Sequence, residues 1–234
     1  MDYNGDGRLD ILTGSISGKI HLFKKKPNGT YAAGETLKKE VSTLLRGLGP
    51  SLNVGSSSAA CMADWNGDGK LDLFIGTGEG EVYWLPNEGT REKPAFSKTE
   101  RLKVGSKPVL AETRVAGPFV ADWDGDGLPD LLVGCGSGAV VWHRNTGTRT
   151  QPQLAAGVKL VESLPAGWDK DPAVFKNPKR SAGNAKVCVA DWNGDGRQDL
   201  IVGDSSYERQ GRTYKSHGWV WVYLRKGGGA EAGM

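Results

Sequence analysis

Four times along the chain a polar, glycine-rich stretch runs directly into a short apolar one. Ile11-Leu12-Thr13, Leu73-Phe74-Ile75, Leu131-Leu132-Val133 and Leu200-Ile201-Val202 each follow an aspartate and end at a glycine. Runs this short, partly β-branched and bounded by Gly, predict buried strands. Three of the polar stretches are also preceded by an apolar segment: Ala59–Ala63, Pro118–Ala121 and Lys186–Ala190. A further strand is predicted after a Gly-rich turn in each copy, over Gly18–Phe23, Gly80–Leu85, Gly138–His143 and Gly218–Tyr223. The turn beyond it is written twice, as Asn87-Glu88-Gly89-Thr90 and Asn145-Thr146-Gly147-Thr148, and Pro94 with Phe96 and Pro152 with Leu154 follow.

The polar stretches begin at residues 2, 64, 122 and 191, so the pattern returns after 62, 58 and 69 residues. Self-similarity of this length signals an array of supersecondary units, and four short strands per unit closed radially make the blade of a β-propeller. The predicted fold class is therefore all-β: a β-propeller of four-stranded antiparallel blades, with at least four blades, over residues 1–234. The repeats run approximately 1–58, 59–117, 118–185 and 186–234. The first repeat lacks its first strand, because Met1 is followed at once by the polar stretch. Either the chain is a fragment of a longer protein, or its ends are completed by one another or by a second copy.

The polar stretches themselves have one spelling: Asp2-Tyr-Asn-Gly-Asp-Gly-Arg-Leu-Asp10, Asp64-Trp-Asn-Gly-Asp-Gly-Lys-Leu-Asp72, Asp122-Trp-Asp-Gly-Asp-Gly-Leu-Pro-Asp130 and Asp191-Trp-Asn-Gly-Asp-Gly-Arg-Gln-Asp199. Oxygen-bearing side chains stand at positions 1, 3, 5 and 9, with glycines at 4 and 6. Calcium takes six to eight oxygens, and a loop supplies them by pointing alternate residues inward while glycines adopt left-handed backbone angles. Asx-Gly-Asp-Gly is also ordinary turn chemistry. Four copies that each crowd three or four carboxylates into nine residues favour a cation among them. A helix-loop-helix site would need a Glu at position 12, where Thr13, Ile75, Val133 and Val202 stand instead. The expected site joins two strands.

A loop Asp-x-Asn-Gly-Asp-Gly-x-x-Asp followed by Leu-Leu-Val-Gly and Gly-x-Val-x-x-Trp resembles the FG-GAP/VCBS repeat family, of which the integrin α-subunit head is a member. The likeness extends over essentially the whole chain. It implies that calcium is held by Asp2, Asn4, Asp6 and Asp10; by Asp64, Asn66, Asp68 and Asp72; by Asp122, Asp124, Asp126 and Asp130; and by Asp191, Asn193, Asp195 and Asp199. Position 7, occupied by Arg8, Lys70, Leu128 and Arg197, would add a main-chain carbonyl and so tolerate any side chain. About four calcium ions, one per loop, are expected. Propellers of the family often have seven blades, and this chain has four loops.

Charge separates along the same lines. The loops hold 13 of the 27 acidic residues, which leaves 30 Lys and Arg against 14 acids elsewhere. With four divalent ions added to the formal +3, the loaded chain carries about +11 and would favour polyanions. Basic stretches occur at Lys24–Lys26, at Lys98, Arg101, Lys103 and Lys107, and from Lys176 to Lys186 with Lys179 and Arg180; each also reads as a solvated loop or edge-strand face. Tyr3, Trp65, Trp123 and Trp192 share loop position 2, and Trp84 and Trp142 share a strand position, so aromatic wedges between blades are expected. Trp168, in the insertion from Glu162 to Lys186, falls outside that pattern and reads as a glycan platform. In the fourth repeat the tight turn is replaced by Asp204–His217, which offers Tyr207, Arg209, Arg212, Tyr214 and His217, either as a binding loop or as an inert hairpin.

Enzyme signatures are missing: there is no Gly-x-Ser-x-Gly elbow, Walker loop or metal-binding His pair, and His21, His143 and His217 are scattered. Cys61, Cys135 and Cys188 read as buried thiols rather than a disulfide framework. No apolar stretch approaches 18 residues, so no membrane span is expected. Weak multi-carboxylate sites stay filled where calcium is millimolar, which points to an extracellular, periplasmic or cell-surface location and to a longer precursor. The sequence thus reads as a non-catalytic module that binds a polysaccharide or protein partner, with no specific nucleic acid. The alternatives are an accessory domain of a larger extracellular enzyme and a self-associating repeat whose homo-oligomer completes the propeller.

Overall fold

A computed structural model describes residues 1–15, 19–37, 59–163, 183–210 and 213–226, with the side chains of Ser206 and of residues 208–210 excepted. Trp168, Lys176, Lys179, Arg180, Arg212 and the side chain of Arg209 lie outside the described residues. The described residues contain strands and turns and no helix. Strands β1 (Ile11–Gly14), β2 (Ile20–Phe23) and β3 (Glu35–Thr36) form a three-stranded antiparallel sheet. Strands β4 (Ala59–Ala63), β5 (Asp72–Gly76), β6 (Val82–Leu85) and β7 (Glu100–Arg101) form a four-stranded one, and a small hairpin of β8 (Lys103–Val104) and β9 (Lys107–Pro108) follows. Strands β10 (Gly117–Ala121), β11 (Asp130–Gly134), β12 (Val140–His143) and β13 (Val158–Val161) repeat the four-stranded order. In the last unit β14 (Lys186–Ala190) pairs with β15 (Asp199–Gly203) and β15 with β18 (Val220–Tyr223), and β16 (Ser206–Gln210) with β17 (Thr213–His217) makes a separate hairpin. These are successive propeller blades, and among the described residues they do not close into a ring.

The register is the same in each blade. Ala63 pairs with Asp72, Ala121 with Asp130 and Ala190 with Asp199, so the nine-residue loop always spans the end of the first two strands. Burial on both faces explains why β5 and β11 are apolar without alternation. By contrast β1, expected as a buried strand, is not buried and leaves Ile11 41% exposed, because it is the edge of its sheet with no described strand beyond it. Leu73 and Ile75 pack towards the first blade with Ile20, Tyr83, Leu85 and Phe96. Phe74 points the other way, into a cluster with Trp65, Val82, Val120, Leu131 and Val133. Leu132 does the same one blade later, against Val187, Val189, Leu200 and Val202. Each such side chain, fully buried, contributes about 1.5–3 kcal/mol.

Trp65 and Trp123, 3% and 9% exposed, wedge into these inter-blade clusters, and Trp84 and Trp142 pack against them. Trp192, at the same loop position, is 63% exposed, because no described blade lies beyond it. Close approach of the backbones completes the interface. A Cβ on Gly76 would lie 2.2 Å from the Ala116 carbonyl oxygen, and one on Gly134 2.3 Å from that of Ala185. The equivalent Gly203 meets nothing within 4 Å.

The innermost strands converge on a cavity of about 610 Å³ lined by β1, β4, β10 and β14. Cys188 is exposed there, which corrects the expectation that all three thiols are buried: a first strand turns alternate residues to the open cavity. Lys186 lies across Gly117, and its Nζ is buried without a hydrogen-bond partner. Burial pushes this ammonium down from 10.5 to about 8. The native state therefore binds its proton less readily than the unfolded chain, and stability rises with pH between about 8 and 10.5. Lys186→Met is expected to stabilise the protein by about 1–3 kcal/mol at pH 7, a gain that fades above pH ~10, as read by urea unfolding across that range. Trp65→Ala is expected to cost about 3–5 kcal/mol and Trp192→Ala less than about 1 kcal/mol in the same assay.

Candidate metal centre

Each loop is built around its last aspartate. Asp10, Asp72, Asp130 and Asp199 are buried, and each uses both carboxylate oxygens on backbone N–H groups. One oxygen accepts from loop position 2: Tyr3 at 3.0 Å, Trp65 at 3.3 Å, Trp123 at 3.2 Å and Trp192 at 3.0 Å. The other accepts from the second residue beyond the next strand of the sheet: Lys25 at 2.8 Å, Asn87 at 2.8 Å, Asn145 at 2.6 Å and Arg225 at 2.8 Å. One carboxylate thus ties the loop, the second strand and the outer turn together. Burial pushes Asp72 and Asp130 above the usual carboxylate range, against the pull of the Asn87 and Asn145 amides. The indole N–H groups of Trp84 and Trp142 also favour the ionised forms, although neither completes a hydrogen bond.

The other positions curl inward by their own hydrogen bonds. The position-1 aspartates accept from loop amides: Asp2 from Asp6 and Gly7, Asp64 from Gly69, Asp122 from Gly125 and Gly127, Asp191 from Gly194, Asp195 and Gly196. The eight glycines at positions 4 and 6 have φ between +70° and +87°, which side chains rarely adopt. Position-3 Asn4, Asn66 and Asn193 donate to position-5 Asp6, Asp68 and Asp195, whereas Asp124 accepts the Asp126 amide. For Asp195 the Asn193 amide, helped by Arg197, holds the carboxyl below its usual range.

Two features fit a hard cation. Asn4 Oδ1 and Asp64 Oδ1 are buried acceptors with no hydrogen-bond partner, a costly state unless something positive meets them. In the third loop, ligand atoms of Asp122, Asp124 and Asp130 all lie within 4.8 Å of one another. An all-oxygen, carboxylate-rich donor set suits calcium or magnesium better than a softer metal.

Position 7 does more than its main chain would require. The side chains of Arg8, Lys70 and Arg197 reach the position-5 aspartates Asp6, Asp68 and Asp195, and also the carbonyls of Lys25, Asn87 and Arg225. Leu128 cannot do this, and Arg144 supplies the charge instead, 2.6 Å from Asp124 and 2.9 Å from Asp126. The outer-turn asparagines were also missed as site residues. Asn87 Oδ1 accepts from Gly89 and Ala95, and Asn145 Oδ1 from Gly147 and Gln153, so each folds the turn whose amide holds the buried aspartate. Their repetition as Asn-x-Gly-Thr was the available signal. Of the basic stretches, Lys24 pairs with Glu35, Lys98 with Glu88 and Arg101 with Glu81, as solvated faces do.

The model of the FG-GAP-like repeat matches residues 2–75, 64–133 and 122–202, each match joining one loop to the next. The chain belongs to the FG-GAP-like repeat family. It is 29% identical over 182 residues to human integrin alpha-IIb, across 68% of this chain and 16% of that protein, so it spans about a sixth of the relative's length. A solved structure of an Agrocybe aegerita lectin, described as recognising non-reducing terminal N-acetylglucosamine, is similar at 18% identity with a TM-score of 0.43, over 95% of this chain and 56% of that one. The convergent oxygens of Asp122, Asp124 and Asp130 fall inside two of these matched segments, 64–133 and 122–202.

Asp130→Asn would turn an N–H group towards a backbone N–H and break one of two buried bonds. It is expected to cost about 1–3 kcal/mol even in chelator, whereas Asp126→Asn, which meets the exposed Arg144, costs less than about 1 kcal/mol; chemical denaturation with EDTA reads both.

Proposed function

We propose that this FG-GAP-repeat chain is a calcium-stabilised, non-catalytic recognition module that works outside the cell. The carrying observation is the fourfold loop with oxygens at positions 1, 3, 5 and 9, together with the buried, unpartnered oxygens of Asn4 and Asp64. Asp2, Asn4, Asp6 and Asp10 and their counterparts in the other three loops would hold the ions, with the carbonyls of Arg8, Lys70, Leu128 and Arg197 completing the sets. Calcium there neutralises carboxylates that otherwise repel and pins the strand connections. A site at a hundred times its Kd adds about 2.7 kcal/mol to stability. Free calcium in the millimolar range outside the cell would keep such sites filled.

The partner we propose is an acidic polysaccharide or an acidic protein surface. Filled loops leave the chain strongly basic, and the hairpin β16–β17 forms a sheet of its own with Tyr207 and Tyr214 55% and 67% exposed. Register places both tyrosines on one face of that hairpin, and His217 at its base stacks on Trp219 at 5.5 Å. A second reading concerns assembly. Val220 and Trp192, 72% and 63% exposed, occupy positions that the following blade covers in the preceding repeats, so this face fits a further blade, from a second copy or from more of the same protein.

Calorimetric titration is expected to find about four calcium sites, and EDTA to lower the melting temperature. An array of neutral and acidic glycans at low and high salt is expected to show calcium-dependent binding that survives salt, reduced several-fold by Tyr207→Ala with Tyr214→Ala. Light scattering at twice 25.0 kDa would support assembly through the uncovered face.

A further inference from the structure

At every described junction between loop and following blade, an arginine from the outer turn of that blade reaches back onto the loop. Arg91, four residues beyond Asn87, lies 3.7 Å from Asp2 of the first loop. Arg149, four residues beyond Asn145, lies 2.9 Å from Asp64 of the second. Arg225, at the Asn position itself, donates to the Trp123 carbonyl and stacks its guanidinium 4.9 Å from that ring in the third. Each arginine is anchored by the turn that ties its own blade to its own buried aspartate.

Asp64 shows what the reach accomplishes. Its Oδ2 accepts from Arg149 of the next blade and, at 3.2 Å, from the loop's own Gly69 amide, while its Oδ1 is buried with no partner. The Arg149 stem lies over Gly67, where a Cβ would sit 2.7 Å from its Cγ, and Arg91 covers Gly5 in the same way, at 3.1 Å from Nε. Side chains at these glycines would displace the guanidinium. The glycine at position 4 therefore serves the neighbouring blade as well as the loop's own backbone.

We propose that Arg149 is a positioning residue that couples the cation site of the second loop to docking of the next blade. The inference rests on the calcium reading of the loops. At Asp64 the guanidinium takes Oδ2 and leaves Oδ1 buried and unpartnered, so a cation entering the second loop meets a preset ligand. At Asp2, by contrast, Oδ1 already accepts the Asp6 amide and Arg91 stands 3.7 Å from Oδ2. Linkage makes the effect reciprocal: a filled loop fixes the aspartate on which the following blade's arginine docks. The third loop, whose arginine grips position 2, has a fourth aspartate, Asp124, in place of asparagine.

The test uses the full chain and terbium(III), excited through the aromatic residue at loop position 2. The component of the terbium titration lost in Trp65→Phe reports the second loop. Arg149→Met is expected to weaken that component by about tenfold or more, as loss of an outer-shell partner does, while the other components stay put and Arg149→Lys recovers part of the loss. Circular dichroism checks that each variant is folded. A second-loop affinity that is unchanged or tighter in folded Arg149→Met overturns the coupling, since the guanidinium would then be neutral or a competitor. Absence of any calcium or terbium binding in the unaltered chain overturns the calcium reading itself, and the coupling with it.

Discussion

A buried carboxylate shared between two strands and a turn is the constraint on which each blade depends. Asp10, Asp72, Asp130 and Asp199 stand where the second strand begins, with both oxygens closed by amides from the loop and from the outer turn. A charged group so placed is tolerated only because its hydrogen bonds are complete. Remove them and the loop loses its shape, the third strand loses its exit, and the outer asparagine turn loses its anchor. The aspartate predicted as the ligand at loop position 9 is thus a structural hub first. Its carboxylate already serves two donors before any cation arrives.

Blades hold to one another by a second repeated device. The second strand presents apolar side chains to both neighbours, and the tryptophan of the preceding loop fills the space between. Gly76 and Gly134 let the next blade approach within backbone contact, and Ala116 and Ala185 then donate to the carbonyls of Thr77 and Cys135. The arginines that reach back from the outer turns lay charge over the rim of this apolar contact. Hydrophobic packing supplies most of the energy, and the polar rim sets the register.

Electrostatics divides the molecule into acidic loops and a basic remainder. In each loop a cationic side chain already covers the position-5 aspartate, from Arg8, Lys70, Arg144 or Arg197. These contacts are partly exposed and individually weak. They moderate repulsion among the carboxylates while leaving inner oxygens such as those of Asn4 and Asp64 open. A cation that satisfies the inner oxygens adds to this scheme instead of replacing it.

Local spacing made the repeat, the strand–loop–strand unit and the candidate ligand set legible, because each loop is a contiguous segment whose chemistry lies within nine residues. The uniform apolar runs likewise announced the strands buried on both faces, β5 and β11, but not that β1 at the edge of its sheet would stay exposed. Position 7 was misread as indifferent because the partners of Arg8, Lys70 and Arg197 include carbonyls 17 to 28 residues away. Arg149 on Asp64, separated by 85 residues, was invisible for the same reason. Whether a tryptophan at loop position 2 is buried, as Trp65 is, or exposed, as Trp192 is, depends on a blade beyond it and not on its own segment. What recurs within a segment could be read from the sequence by itself. What passes between blades was decided only by the tertiary structure, since docking brings together residues whose spacing along the chain carries no period of its own.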